Sequence, residues 1–270
     1  MSVRTVLAPP RPAEPGVVAD AVERRGLVVE VVLVFSVTLG LSGVRSLLSL
    51  LDSLLQSGPL SKQTVAINVP RAAANLIDLL SQLVSAGQLV AWGGLGLYLL
   101  WRSGIGLRIV GLAGRGRSGL AGDVASGAGL AALIGLPGLA FYLVTRAIGI
   151  NLTVVPAALN DHWWRGPVLV LLAAGNAWAE EVLVVGYFIT RLRQLGWAEN
   201  ASLFGAGVLR GSYHLYQGFG GFLGNLLMGL VFGRFWQRTN RLWPLVIAHT
   251  LIDTVAFVGY TLIHNRVSWL

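Results

Sequence analysis

A succession of apolar runs, each long enough to cross a bilayer, constrains this chain more than any other feature. They lie at roughly 27–51, 75–101, 126–148, 166–189, 200–217, 219–236 and 243–264. A hydrocarbon core about 30 Å thick needs about 20 helical residues to span it. Backbone in lipid must satisfy its own hydrogen bonds, which helices do within one segment. The expected fold class is therefore all-α, a polytopic transmembrane helical bundle of about seven to eight spans with a cytoplasmic N-terminus. Residues 52–74 leave room for a further re-entrant or amphipathic helix.

Composition supports a lipid-facing surface. Charged residues make up 12% of the 270, about half the share usual in soluble domains, and 54% are hydrophobic. The chain has no cysteine, which removes disulfide scaffolds, thiolate metal sites and cysteine nucleophiles. Its net charge of +8 would suit a nucleic-acid partner, but the basic residues follow topology instead. With the N-terminus inside, 13 of the 20 fall on cytoplasmic segments, among them Arg102, Arg108, Arg191, Arg193, Arg234, Arg238 and Arg241. The outer segments keep chiefly Lys62, Arg71, Arg165 and Arg266. That asymmetry is the positive-inside pattern, so the expected partners include membrane lipids and no nucleic acid. The expected location is the plasma membrane, and the arginine-, alanine- and glycine-rich, lysine-poor composition points to a GC-rich bacterial genome. Residues 1–26, with Pro9, Pro10, Pro12 and Pro15, read as a flexible cytoplasmic tail. The G-x-G-x-x-G match at 114–119 follows no strand and reads as a linker.

Ionisable residues inside apolar runs are costly, so they mark a bundle interior and a function. Four sites stand out, all in the last 110 residues. The fourth run carries adjacent carboxylates, Glu180 and Glu181, about 100° apart on a helix, which predicts separate tasks. The fifth carries Arg210 and His214 at i and i+4 on one face, and the seventh carries His249 and Asp253 at the same spacing. Asn225, in the sixth, reads as a helix–helix contact. A carboxylate and an imidazole sharing a water make a general base, and a second imidazole can steady an oxyanion. Glu180, His214, His249 and Asp253 are equally the inventory of a zinc site with an open water position. Sequence leaves both schemes open.

Glu180-Glu181 followed by Gly186, a lone histidine one run later and His249-x-x-x-Asp253 resemble the CPBP family of CAAX proteases and bacteriocin-processing enzymes, also called the Abi family. That family includes the type II CAAX prenyl endopeptidases. The resemblance covers about residues 165–265 and implies a CPBP-like catalytic membrane domain over 161–270, preceded by membrane spans over 27–160. It implies an intramembrane endopeptidase with a peptide or membrane-protein substrate, in which Glu180 activates water with His214 as partner, while His249 and Asp253 stabilise the oxyanion. Family members are widely labelled metalloproteases, although a metal-free glutamate mechanism has been proposed, so zinc stays open. The alternatives are a non-catalytic membrane scaffold or immunity-type protein of the same family, or a small transporter.

Two positions depart from the family pattern. Val185 stands where the family has arginine after E-E-x-x-x, and Arg210 stands where it has phenylalanine four residues before the histidine. The pair reads as one charge relocated, with Arg210 as the charge partner of Glu181. An ionised Asp253 would repel an oxyanion that asparagine could serve as donor. Asp253 is therefore protonated, orients His249 or ligates metal. His249 lies about six residues from the cytoplasmic end of its run, roughly 9 Å, so the expected approach to the site is from the cytoplasm.

Overall fold

The structure is a computed structural model that describes residues 16–113, 117–264 and 266. Most of the proline-rich tail and Gly114–Gly116 of the glycine-rich linker lie outside the described residues. The last part of the expected tail is helical. Asp20 caps α1 (Ala21–Val37) by accepting from the backbone N–H groups of Val22 and Glu23. Val18 N donates to Gln194 O and Arg24 Nη2 to Leu195 O, which docks this segment on the arginine-rich end of the bundle.

The first apolar run is not one straight helix. It breaks at Thr38, where the hydroxyl donates to Val34 O, and continues as α2 (Leu39–Leu55) at a bend of 53°. The expected helix within 52–74 is absent. A 3₁₀ turn (Leu60–Lys62) and strand β1 (Thr64–Asn68) occupy this stretch. β1 pairs in parallel with β2 (Thr153–Ala157), Thr64 opposite Thr153. Both are short, β-branched runs that pair where the chain leaves the apolar layer.

Between the strands run α3 (Asn75–Arg102), the short α4 (Leu107–Val110) and α5 (Arg117–Ala147). After β2, α6 (Arg165–Glu180) passes without interruption into a π-helical segment (Glu181–Phe188) and α7 (Ile189–Gln194). Together they form one 30-residue span that is mostly buried. α8 (Glu199–Ser212), α9 (Phe219–Thr239) and α10 (Trp243–Ile263) complete the bundle.

Among the described residues, five helices are long and apolar enough to cross a membrane, six if α1 and α2 count as one bent span. The difference from seven lies in the 200–217 run. α8 has 14 residues, about 21 Å of helix at 1.5 Å per residue. Its chain then turns through Tyr213–Gly218, where Gly218 adopts φ +106° and a Cβ would lie 2.7 Å from Ile150 O. Only glycine fits that corner.

α10 packs against α5 and α6, α3 against α6, and α8 against α9. The α8–α9 backbones come closest where Gly207 meets Gly229, while Gly211 receives Phe222 of α9 and Gly233 receives Leu203 of α8. A Cβ at Gly229 would lie 3.1 Å from Gly207 Cα and from Arg210 Cδ. The outer surface is apolar where lipid would lie, with Val84, Leu133, Leu136 and Val255 exposed. Trp101, Trp197 and Trp243 are exposed at the arginine-rich end and Trp163 at the other, as in interfacial belts.

Candidate active site

The π-helical segment starts at Glu181 and places two carboxylates at the middle of the most buried span. Such wide turns often accompany functional sites. Glu180 and Glu181 are 3% and 0% exposed. They do not aim at separate places: Arg210, fully buried at the end of α8, reaches both. Its Nη1 is 2.8 Å from Glu181 Oε1 and its Nη2 3.4 Å from Glu180 Oε2. The 100° divergence of the two Cα–Cβ bonds is bridged by the length of the glutamate side chains and the breadth of the guanidinium fork. The Nη1 contact is an ion pair rather than an aligned hydrogen bond, and Arg210 Nε and Glu181 Oε2 are buried without a hydrogen-bond partner. Phe232 of α9 lies under the guanidinium at 5.6 Å.

From α10, His249 joins the same cluster. Its Nδ1 is 2.8 Å from Glu181 Oε1 and 3.1 Å from Arg210 Nη2. Arginine can only donate and an ionised carboxylate can only accept, so one ring nitrogen cannot satisfy both. The shorter contact assigns Nδ1–H to Glu181 and leaves Nε2 facing Asp253 Oδ2 at 3.5 Å. Asp253 Oδ2 in turn accepts from the amide of Asn176, one turn before Glu180 on α6.

Glu180 has a different second partner. The hydroxyl of Tyr213 donates to its Oε2 at 2.8 Å. The next residue, His214, lies within electrostatic range of Glu180, its Nδ1 3.0 Å from Arg210 O and its ring 4.8 Å from that of Tyr213. The structure thus gathers Glu180, Glu181, Arg210, His249 and Asp253 into one connected cluster, with His214 at its edge. Asn225 bonds within its own helix, to Gly221 O. Val185 is buried among apolar side chains beyond the cluster, leaving the cation to Arg210. Tyr213 and Asn176 escaped the sequence reading, because a tyrosine or asparagine in an apolar run carries no spacing signal of its own.

Zinc does not fit this arrangement. Among the described residues no three His, Asp or Glu side chains stand where they could hold one ion. A guanidinium already lies against both glutamates and His249, where a divalent cation would meet a like charge.

Polar groups outside the last 110 residues are also engaged, some of them by arginines of the last 110. Arg191, 0% exposed, donates from Nε to Glu30 of α1 at 2.8 Å and from Nη2 to Leu99 O of α3 at 2.9 Å. Tyr187 donates to the same Glu30 oxygen. Arg241 donates to Asp123 of α5 at 2.7 Å, and Asp78 of α3 is buried beside Gln82. Among the described residues, polar groups therefore occupy both halves of the chain, and the cluster that gathers His249 and His214 with carboxylates is in the second.

Residues 162–255 match the family model described as Type II CAAX prenyl endopeptidase Rce1-like. This stretch holds every member of the cluster and agrees with the motif-bearing segment. In a bundle of membrane-length helices, that match makes residues 162–255 similar to an Rce1-like CAAX-protease domain. No curated protein and no solved structure matches the chain significantly.

Proposed function

We propose that this chain is an endopeptidase that uses Glu180 as general base, with His214 as its partner and without a metal-dependent step. Support comes above all from the unequal surroundings of the two carboxylates. Glu181 is committed to Arg210 and His249 in the fully buried layer. Glu180 is held by Tyr213 at the boundary with the partly exposed His214.

A water between Glu180 and His214 would lose a proton to the carboxylate as its oxygen attacks the scissile carbonyl. The same proton then passes to the leaving amine, so no proton is left over in the cycle. The developing oxyanion needs a donor in a water-poor site. His249 serves through Nε2–H as an imidazolium that takes its second proton from solvent before the attack and keeps it through the cycle, its Nδ1–H held by Glu181. Asp253 acts in this scheme as a positioning residue for His249 rather than as an oxyanion donor, since its carboxylate would repel the charge.

The test is Glu180→Gln and His214→Ala in the full chain, reading new peptide termini in membranes by mass spectrometry. Each should lower cleavage by about 10²- to 10⁴-fold, the usual share of a positioned acid–base group, with insertion into the membrane unchanged. Cleavage at full rate in Glu180→Gln would remove the general-base assignment.

A further inference from the structure

The cluster is closed on one side and open on the other, and the open side is not the one that the depth of His249 suggests. Four helices agree. Beyond Glu181 on the π segment, before His249 on α10 and after Asn225 on α9, the neighbouring side chains are sealed: Val182, Phe232, Leu245 and Ala248 are 0% exposed and Val185 1%. In the opposite direction the chain presents polar, partly exposed residues: Asn176 on α6, His214, Tyr216 and Gln217 in the turn after α8, Asn225 on α9 and Asp253 on α10. A polar wall supplied by four separate elements is what a water-filled mouth requires within a membrane.

That mouth lies at the strand-bearing end of the bundle. Leu152 N, just before β2, donates to Gln217 O, and Gly218 bridges to Asn151. The sealed end is the one that carries Arg102, Arg108, Arg193, Arg234 and Arg238, which the positive-inside pattern assigns to the cytoplasm. We infer that the site is entered from the non-cytoplasmic face, and that its substrate is a peptide segment presented on that side of the membrane. The inference rests on the endopeptidase reading for the word substrate; the direction of entry stands on geometry and charge alone.

The absence of native cysteine makes the direction measurable. Gln217→Cys and Asn225→Cys would each place a single thiol in the mouth. Exposed Asn160→Cys, beyond β2, and Ala198→Cys, before α8, serve as references for the two ends. A membrane-impermeant maleimide is applied to intact cells and to inverted membrane vesicles. The expected result is labelling of both mouth variants and Asn160→Cys in intact cells, lost in inverted vesicles, with Ala198→Cys showing the reverse. Labelling of the mouth variants together with Ala198→Cys overturns the inference, as does labelling only by a membrane-permeant maleimide. Reversal of the two reference positions also overturns it, because the mouth would then face the cytoplasm. Labelling needs no turnover, so it separates failure of this inference from failure of the general-base assignment.

Discussion

Arg210 contacts Glu181, Glu180 and His249 at once, so each of these groups depends on it for neutralisation or orientation. Removing one partner of a buried ion pair leaves an uncompensated charge, at a cost of about 3–5 kcal/mol. Arg210→Ala and Glu181→Gln should each lower the unfolding midpoint in detergent. The double variant should lose less than the two losses added, by about 0.5–3 kcal/mol of coupling. Additive losses would show that the two side chains act independently. The need for such a partner was legible: an arginine inside an apolar run must meet an acid, and Val185 left the carboxylates without a cation. That one fork would serve both glutamates was not legible, because ideal helical spacing omits the wide turn at Glu181 and the reach of the side chains. Asp253 was ambiguous for another reason. Its role depends on Asn176, 77 positions away in the chain.

The placement of Arg210 depends on how α8 and α9 approach each other. A valine at 229 would press on Arg210 Cδ and on the backbone of Gly207. Overpacking of this kind costs about 1–3 kcal/mol. Gly229→Val should therefore lower the melting temperature and cleavage together. Gly224→Ala, whose Cβ meets only the Phe141 ring at 3.6 Å, should alter neither. Spectroscopic melting of both variants beside a cleavage assay checks the contrast. Hydropathy found the long helices but misread α8, since a window counts apolar residues without registering that the chain turns at Tyr213 and Gly218. It also passed over the two strands. Thr64–Asn68 and Thr153–Ala157 have five residues each, far below the length of a span, and they pair with each other while Val154 N donates to the Tyr142 hydroxyl.

Across the whole molecule, partly buried ion pairs join the segment that matches the family model to the longer segment before it. Glu30 lies on the first helix and Arg191 at the end of the site-bearing span, and their pairing is sealed on the arginine side. Glu30→Ala would leave Arg191 buried with Leu99 O, Ser103 and Gln194 but no counter-charge. A loss of about 3–5 kcal/mol is expected, read as a lower unfolding midpoint. An unchanged midpoint would show that the first helix is not anchored there. Membrane residence was legible from the apolar runs. These cross-links were not, because Arg191 was counted only as a cytoplasmic charge.

The π segment gives one helix two angular settings. Before it, Asn176 and Glu180 face Asp253, Tyr213 and Arg210; within and after it, Tyr187 and Arg191 face Glu30 and α3. In a helix of uniform pitch, the direction of Arg191 would be fixed by that of Glu180, about 100° per intervening residue. The wide turn acts as a phase joint, so the face that carries the carboxylate cluster and the anchoring face can each meet their own partners. Shortening it by one residue would leave every functional side chain in the sequence while rotating one set away from its contacts.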